Sequence, residues 1–443
     1  MLNISVAGLA VGLMAFAQTA RETRLEERVR VLEQRLAYVE AKLGGAAHAE
    51  AKGSLECASA QAAPTPEPAS QGDLAIPGGI QVSGYFDGNY TFNTNRPYNR
   101  IQLLRAYDVL HNNLNINQAG VVLERAVSAE PGRRFGMRLD LMYGQATETL
   151  QGGSQNELRP QVYRPVFQAY GRYLAPLGSG LTIDFGKFAG SLGYEGNYTK
   201  DQFTYSRAYF FNFLPFYHTG VRTSYAFSSR VSLTHWLVNG AQQTEDFNHF
   251  KSNAFLLNVK PARNVSWNIN YYFGREGREY VAQHNPALPT QPGLPVDVVR
   301  PAPDGRFHVI DSYASWNVYG GLTLVGEADY VVNRPDSNAA PSRVTGAAAY
   351  AAYQFSPNWT VATRFEYLDD QHGFFSGVSQ ALKENTFAVT YQPASGFQLR
   401  GEFRRDYSNQ RFFLGRAADR LRSEQNTATL GLLWWFGGKE GSW

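Results

Sequence analysis

The sequence predicts an all-β chain, a transmembrane antiparallel β-barrel of about sixteen strands preceded by a short N-terminal coiled-coil helix. Three observations carry this. From Ile80 onward, apolar and polar residues alternate with a period of two, segment after segment, which places them on opposite faces of strands. Short turns and long loops join these segments in unbroken alternation. Aromatics make up 14 % and charged residues only 18 % of the 443-residue chain, with 42 Gly. A membrane barrel spreads its apolar residues over alternate positions and carries few charges.

Composition also excludes. The net charge of +3 is too small for a nucleic-acid footprint, so no nucleic-acid partner is expected. Mean hydropathy is mildly negative, which argues against a bundle of transmembrane helices. The one cysteine, Cys57, leaves no intrachain disulfide. Ser54-Leu55-Glu56 before it is a poor lipoprotein anchor, so it reads as an incidental linker thiol. The 8 His are scattered, none in an H-E-x-x-H spacing, and no nucleophile motif stands out. No catalytic residue, metal or cofactor is assigned, and an enzyme is not expected.

The N-terminus reads as three pieces. Residues 1–17 resemble a signal peptide: Ile4 to Ala17 is apolar but too short to span a bilayer, and Ala15-Phe16-Ala17 fits the small-x-small cleavage rule. Met1-Leu2-Asn3 lacks the usual Lys or Arg. Residues 21–43 form a heptad segment with Leu25, Val29, Leu32, Leu36, Val39 and Leu43 at the a and d positions. Arg28 and Arg35 at g face Glu33 and Glu40 at e′, which favours a parallel homo-oligomer. Residues 44–79, rich in Ala, Pro, Gly and Ser, read as a linker.

Residues 80–443 form the expected barrel. Ile80 to Asn93 sets the pattern: Ile80, Val82, Phe86, Tyr90 and Phe92 on one face, Ser83, Tyr85, Asp87, Asn89 and Asn93 on the other. The alternation recurs at Phe135–Leu141, Tyr217–Tyr225, Val265–Phe273, Leu322–Tyr330, Trp359–Tyr367 and Phe397–Arg404. Seven short turns, at 130–133, 176–180, 228–230, 261–264, 320–321, 356–358 and 393–396, carry Pro, Gly, Asn and Ser. Eight long polar loops lie between them, near 94–110, 144–165, 188–215, 240–252, 274–306, 331–343, 368–384 and 406–424. Asn112–Glu124 and Val344–Gln354 alternate poorly. Ala428 to Phe436 is the last strand, expected to pair with Ile80–Asn93, since an open edge cannot face lipid.

Three stretches carry a family likeness: Gly84-Tyr85-Phe86-Asp87-Gly88-Asn89-Tyr90; Leu181-Thr182-Ile183-Asp184-Phe185-Gly186-Lys187-Phe188; and Tyr205-Ser206-Arg207 running into Pro215-Phe216-Tyr217-His218-Thr219-Gly220-Val221-Arg222. In them the chain resembles the OmpL-like putative β-barrel porins of bacterial outer membranes, over about residues 80–436. The resemblance implies an outer-membrane channel through which small hydrophilic solutes diffuse. Membrane lipid is then a partner, and the N-terminal segment is periplasmic. By analogy with porins the oligomer is a trimer, and the coil contacts the cell wall or a periplasmic partner.

A charge on the lipid face is costly, so charges at the opposite parity line the lumen. The candidates are Arg138, Arg172, Arg222, Arg364, Arg400 and Arg404, set against Asp87, Asp140, Asp184, Glu327, Asp329, Glu366 and Glu402, with His218 beside them. The bland reading is cross-strand pairing, Asp140 with Arg138 and Glu402 with Arg400 or Arg404. Lys187 shares the parity of Leu181, Ile183 and Phe185, so it either snorkels to the interface or is turned inward by a bulge. In sixteen-stranded porins the third external loop narrows the pore. By that analogy Glu195, Lys200, Asp201 and Arg207 form a constriction opposite wall residues such as Arg222. Two rivals stand beside the channel: an occluded barrel that tethers the coil, and a barrel enzyme.

Overall fold

The computed structural model describes residues 74–76, 78–151, 157, 159–246, 248–277, 280–284, 297–301, 305–334 and 338–437. The expected signal peptide, the coiled coil with its core from Leu25 to Leu43, and most of the linker lie outside the described residues. The linker's end departs from expectation: Leu74–Ile76 is a short strand, antiparallel to Ile80–Val82.

The main sheet has 17 strands including that short one; the other sixteen close into a barrel. In chain order they are β1 Ile80–Asn93, β2 Asn113–Arg125, β3 Phe135–Tyr143, β4 Val166–Ala175, β5 Leu181–Ala189 and β6 Tyr217–Ser228. Next come β7 Val231–Val238, β8 Ser252–Ala262, β9 Val265–Gly274, β10 Phe307–Tyr319 and β11 Leu322–Asn333. The last are β12 Ser342–Ser356, β13 Trp359–Asp370, β14 Gln380–Ala394, β15 Phe397–Ser408 and β16 Glu424–Phe436. Each is antiparallel to the next, and β16 closes on β1 with Gly84 opposite Phe436 and Phe92 opposite Ala428. Tyr280–His284 and Asp297–Pro301 form a small hairpin in the loop after β9. Each expected turn and loop lies between the strands it was expected to join, but strands run into the loops expected near 368–384 and 406–424.

The two poorly alternating segments are strands for separate reasons. In β2 the register shifts between Asp87–Gln118 and Gly88–Ile116, leaving Asn117 as an extra residue, a β-bulge. Asn117 and Gln118 both point inward, and the outward set changes from Leu114 and Ile116 to Val121. In β12 the inward residues Val344, Ala348, Tyr350 and Ala352 alternate regularly. Alanine on both faces hides the pattern.

Mid-strand outward residues are mostly apolar, and the outward aromatics gather near the two ends. At the short-turn end Phe135 stacks on Tyr173 at 4.8 Å and Trp359 lies 4.5 Å from Tyr391. At the long-loop end Tyr271, Tyr330, Tyr367 and Tyr407 are exposed. Trp359 and Tyr367 on β13 are separated by about 26 Å of strand. A tilt of about 40° reduces that to about 20 Å of height, close to the roughly 25 Å apolar band of such barrels.

Candidate functional site

The third long loop, L3, residues 190–216, runs inside the barrel and carries two short 3₁₀ turns, Thr199–Asp201 and Phe210–Asn212. It leaves β5 through an irregular strand end. Gly186 has φ +136, a backbone region closed to other residues. Beyond it the alternation fails: Phe185 is exposed, yet Lys187, Phe188 and Ala189 are all buried. Lys187 is therefore buried and does not snorkel, and since β5 pairs with both neighbours without a register shift, no bulge turns it inward. Its Nζ donates to Gln151 Oε1 at 3.2 Å and lies 3.9 Å from the Tyr217 ring centroid.

L3 then meets inward-facing groups around the wall. Ser191 Oγ donates to Asn270 on β9 at 2.8 Å. The Gly193 N–H donates to Asp311 on β10 at 3.1 Å, and the Tyr194 N–H to Glu327 on β11 at 2.9 Å. Glu195 pairs with Arg364 on β13 at 2.6 Å. Tyr198 OH donates to Asp140 on β3. Tyr205 OH donates to Asp87 on β1 at 2.7 Å, and the Ser206 N–H to Glu402 on β15 at 3.1 Å. The Tyr209 and Phe210 N–H groups both donate to Glu366 on β13.

Arginines take the loop's carbonyls in return. Arg364 Nε donates to Glu384 at 2.6 Å, and its Nη1 reaches Glu195, Thr204 Oγ1 and Ser206 O at 2.6, 2.9 and 2.8 Å. Arg400 Nη1 donates to Thr199 O and Thr204 O, each at 3.0 Å. Arg404 donates to Arg207 O and pairs with Asp406 at 2.8 Å. Arg207 folds back on L3, donating to Gly196 O at 3.0 Å and Tyr205 O at 2.8 Å, and lies over Tyr107 of the first long loop at 4.9 Å. Two wall glycines admit the loop's rings. A Cβ at Gly431 would sit 2.4 Å from the Tyr205 ring, and one at Gly346 2.2 Å from that of Phe210.

The expected pore-lining residues are buried, Arg172 only partly, and several of their partners differ from expectation. Arg138 and Asp140 pair at 3.6 Å, as the bland reading has it, with Glu124 beside Arg138 at 3.3 Å. Glu402 does not pair with Arg400 or Arg404; its oxygens accept the Tyr205 and Ser206 N–H groups, because L3 fills the space beside it. Arg222 does not face the loop. Asp184 bridges it at 2.6 Å to Arg172, also at 2.6 Å, and Phe188 lies under its guanidinium at 4.7 Å. His218 stacks on Tyr272 at 5.4 Å with Nδ1 3.1 Å from Gly240 O. Lys200 pairs with its neighbour Asp201 at 3.1 Å. Glu195 and Arg207 are the loop charges that are fully built in.

Sequence reasoning missed Asp311, Glu384, Asp406 and the first-loop pair Arg105–Asp108, which joins Asp406 in a buried cluster. Glu384 and Asp406 fell inside expected loops, whereas β14 begins at Gln380 and β15 runs to Ser408. Strand ends beyond the apolar band have polar residues on both faces, so alternation fades there. Counting parity outward from Ala388 and Arg400 would have reached both.

At the long-loop end a cavity of about 320 Å³ is lined by Phe213, Gln242, Glu276, Arg306, Phe307 and Phe374. Burial holds the Glu276 carboxyl above its usual range, although Tyr272 OH, the Ala241 N–H and Ser252 Oγ all donate to it. The arrangement is an open mouth at the long-loop end of a barrel crossed by a hydrogen-bonded loop.

A family described as putative β-barrel porin-2, OmpL-like, matches residues 79–436. Among solved structures, in-vitro folded OmpT, an outer membrane protein of Vibrio cholerae, is 11 % identical with a TM-score of 0.51. The match covers 81 % of this chain and 98 % of that one. The anion-selective porin from Comamonas acidovorans is 10 % identical with a TM-score of 0.51, covering 81 % of this chain and 99 % of that one. A trimer form of the Vibrio cholerae protein is 10 % identical with a TM-score of 0.50, covering 80 % and 98 %. At these identities the likeness is one of fold. No curated protein sequence matches the chain.

Proposed function

Because this chain belongs to the OmpL-like putative β-barrel porin-2 family, and is thereby an outer-membrane porin channel, we propose that it passes small hydrophilic solutes by diffusion through a lumen narrowed by L3. The observation that carries the reading is the ring of hydrogen bonds from L3 to β1, β3, β9, β10, β11, β13 and β15. A loop tied on all sides sets the pore's cross-section, and the charges beside it filter by size and sign. Glu195 and Arg207 shape the constriction, with Lys200 and Asp201 at its edge. Most of the wall arginines are ion-paired with wall or loop carboxylates, so discrimination by size dominates.

Replacing residues 192–204 with a short Gly/Ser link raises single-channel conductance in planar bilayers. An unchanged conductance sinks the constriction. The N-terminal signal peptide, periplasmic coil and linker complete the proposal, with the coil joining three barrels. Leu32→Asp then lowers the oligomer seen in mild detergent.

One observation favours a second reading. Arg364 and Arg404 are both 0 % exposed, which suits a closed barrel that anchors the coil. Absence of any conductance step in the wild type, with steps appearing only on removal of L3, would support the tether over the open channel.

A further inference from the structure

We propose that Asp311, Glu327 and Asp329 form a binding site for a hard divalent cation of the Ca²⁺ type, placed where L3 meets the wall. Asp311 on β10 lies directly opposite Asp329 on β11, with Glu327 two residues before it on the same inward face. Carboxylate oxygens of the three lie within 4.8 Å of one another. A cation bound at about 2.4 Å holds its ligand oxygens at most about 4.8 Å apart, so the spread is that of one coordination shell.

The remaining valences point to a ligand. Asp311 Oδ2 already accepts from Asn270 at 2.7 Å and from the Gly193 N–H. Glu327 accepts from the Tyr194 N–H and from Tyr350 OH at 3.0 Å. Asp311 Oδ1 and both oxygens of Asp329 are buried without a donor, and Asp329 is 5 % exposed. Elsewhere in the lumen the buried carboxylates of Asp184, Glu384 and Asp406 each have an arginine. Here three like charges share one site, and no ion pair reaches them among the described residues. Burying such a group unpaired is strongly unfavourable. All-oxygen ligands select Ca²⁺ or Mg²⁺ over softer metals. The two free oxygens of Asp329 and the irregular geometry suit Ca²⁺, which tolerates bidentate carboxylates, more than octahedral Mg²⁺. The cation would sit directly behind Gly193 and Tyr194 and fix that end of L3.

Terbium luminescence tests this, because the ring of Tyr194 lies 5.0 Å from that of Tyr350 and 5.9 Å from that of Tyr313, beside the carboxylates. The full-length protein, stripped with EDTA and held in detergent, is titrated with Tb³⁺ under tyrosine excitation. The expected result is saturable emission that Ca²⁺ displaces, weakened about tenfold or more in Asp329→Asn and in Asp311→Asn. Heat-modifiable gel migration checks that each variant keeps a closed barrel. Absence of Ca²⁺-displaceable emission in the wild type overturns the site, and so does emission of unchanged affinity in either folded variant. A site filled by a shared proton gives the first of those outcomes.

Discussion

The two sides of the barrel hold the same loop differently: carboxylates take its amides on both, Glu366 and Glu402 as well as Asp311 and Glu327, but arginines are added on β13 to β15. On β13 to β15, arginines reach out and take the carbonyls of Thr199, Thr204, Ser206 and Arg207, and each arginine is steadied by the wall or by Glu195. On β10 and β11, carboxylates take the amides of Gly193 and Tyr194. Both sides satisfy the loop's backbone, as burial demands. They differ in charge: Arg364 and Arg404 are ion-paired with Glu195, Glu384 and Asp406, whereas among the described residues no ion pair reaches Asp311, Glu327 or Asp329. A buried group that completes a pair is costly to remove, and a surplus like charge is not.

Substitutions can break that contrast. The largest effect is expected on the paired side: Arg364→Ala leaves Glu195 and Glu384 buried without their partner and costs about 3–5 kcal/mol. Denaturant unfolding in detergent reads the loss, and single-channel conductance reads the loosened loop. Next comes the loop's seat on β16. Gly431→Ala drives a methyl into the Tyr205 ring and costs about 1–3 kcal/mol, visible as a lower unfolding midpoint. If the midpoint holds, Tyr205 is not wedged there. On the acidic side the sign reverses. In EDTA, Asp329→Asn removes like-charge repulsion and leaves stability unchanged or raises it by about 1 kcal/mol; a clear loss would show that Asp329 has a partner.

The smallest effect lies away from both walls, in the loop after β7. Burial would raise the Asp246 carboxyl, but the Lys251 ammonium and the N–H groups of Asn248 and His249 outweigh it and hold it below the usual range. A depressed folded value means that its contribution is present above the unfolded value near about 4 and is lost as pH falls through the folded one. Lys251 is half exposed, so screening limits the pair to about 0.5 kcal/mol. Asp246→Asn therefore shifts the midpoint slightly at neutral pH and not at all in strong acid.

Much of this was legible in the residues. Period-two alternation separates lipid face from lumen because a charge cannot sit in hydrocarbon, and the long and short connections count the strands. The residues that this rule assigned to the lumen are buried, Arg172 only partly. The rule failed where local geometry breaks the period. Asn117 adds a residue to β2, and beyond Gly186 Lys187, Phe188 and Ala189 are all buried, so burial no longer alternates. In β12 alanine is small enough for either face and carries no signal. The strand ends holding Glu384 and Asp406 rise beyond the apolar band, where polarity no longer distinguishes the faces.

What the sequence by itself determined is the closed wall and the alternation of apolar and polar faces along its mid-strand residues, because solvation by lipid or water acts residue by residue. Only the tertiary structure decided what the buried charges hold. Arg364, Arg400, Glu402 and Glu366 find their partners in a loop about 160 to 200 positions away along the chain, and Asp311, Glu327 and Asp329 become one cluster through strand register. Pairing at that distance depends on where L3 is laid down inside the barrel, which no local period encodes.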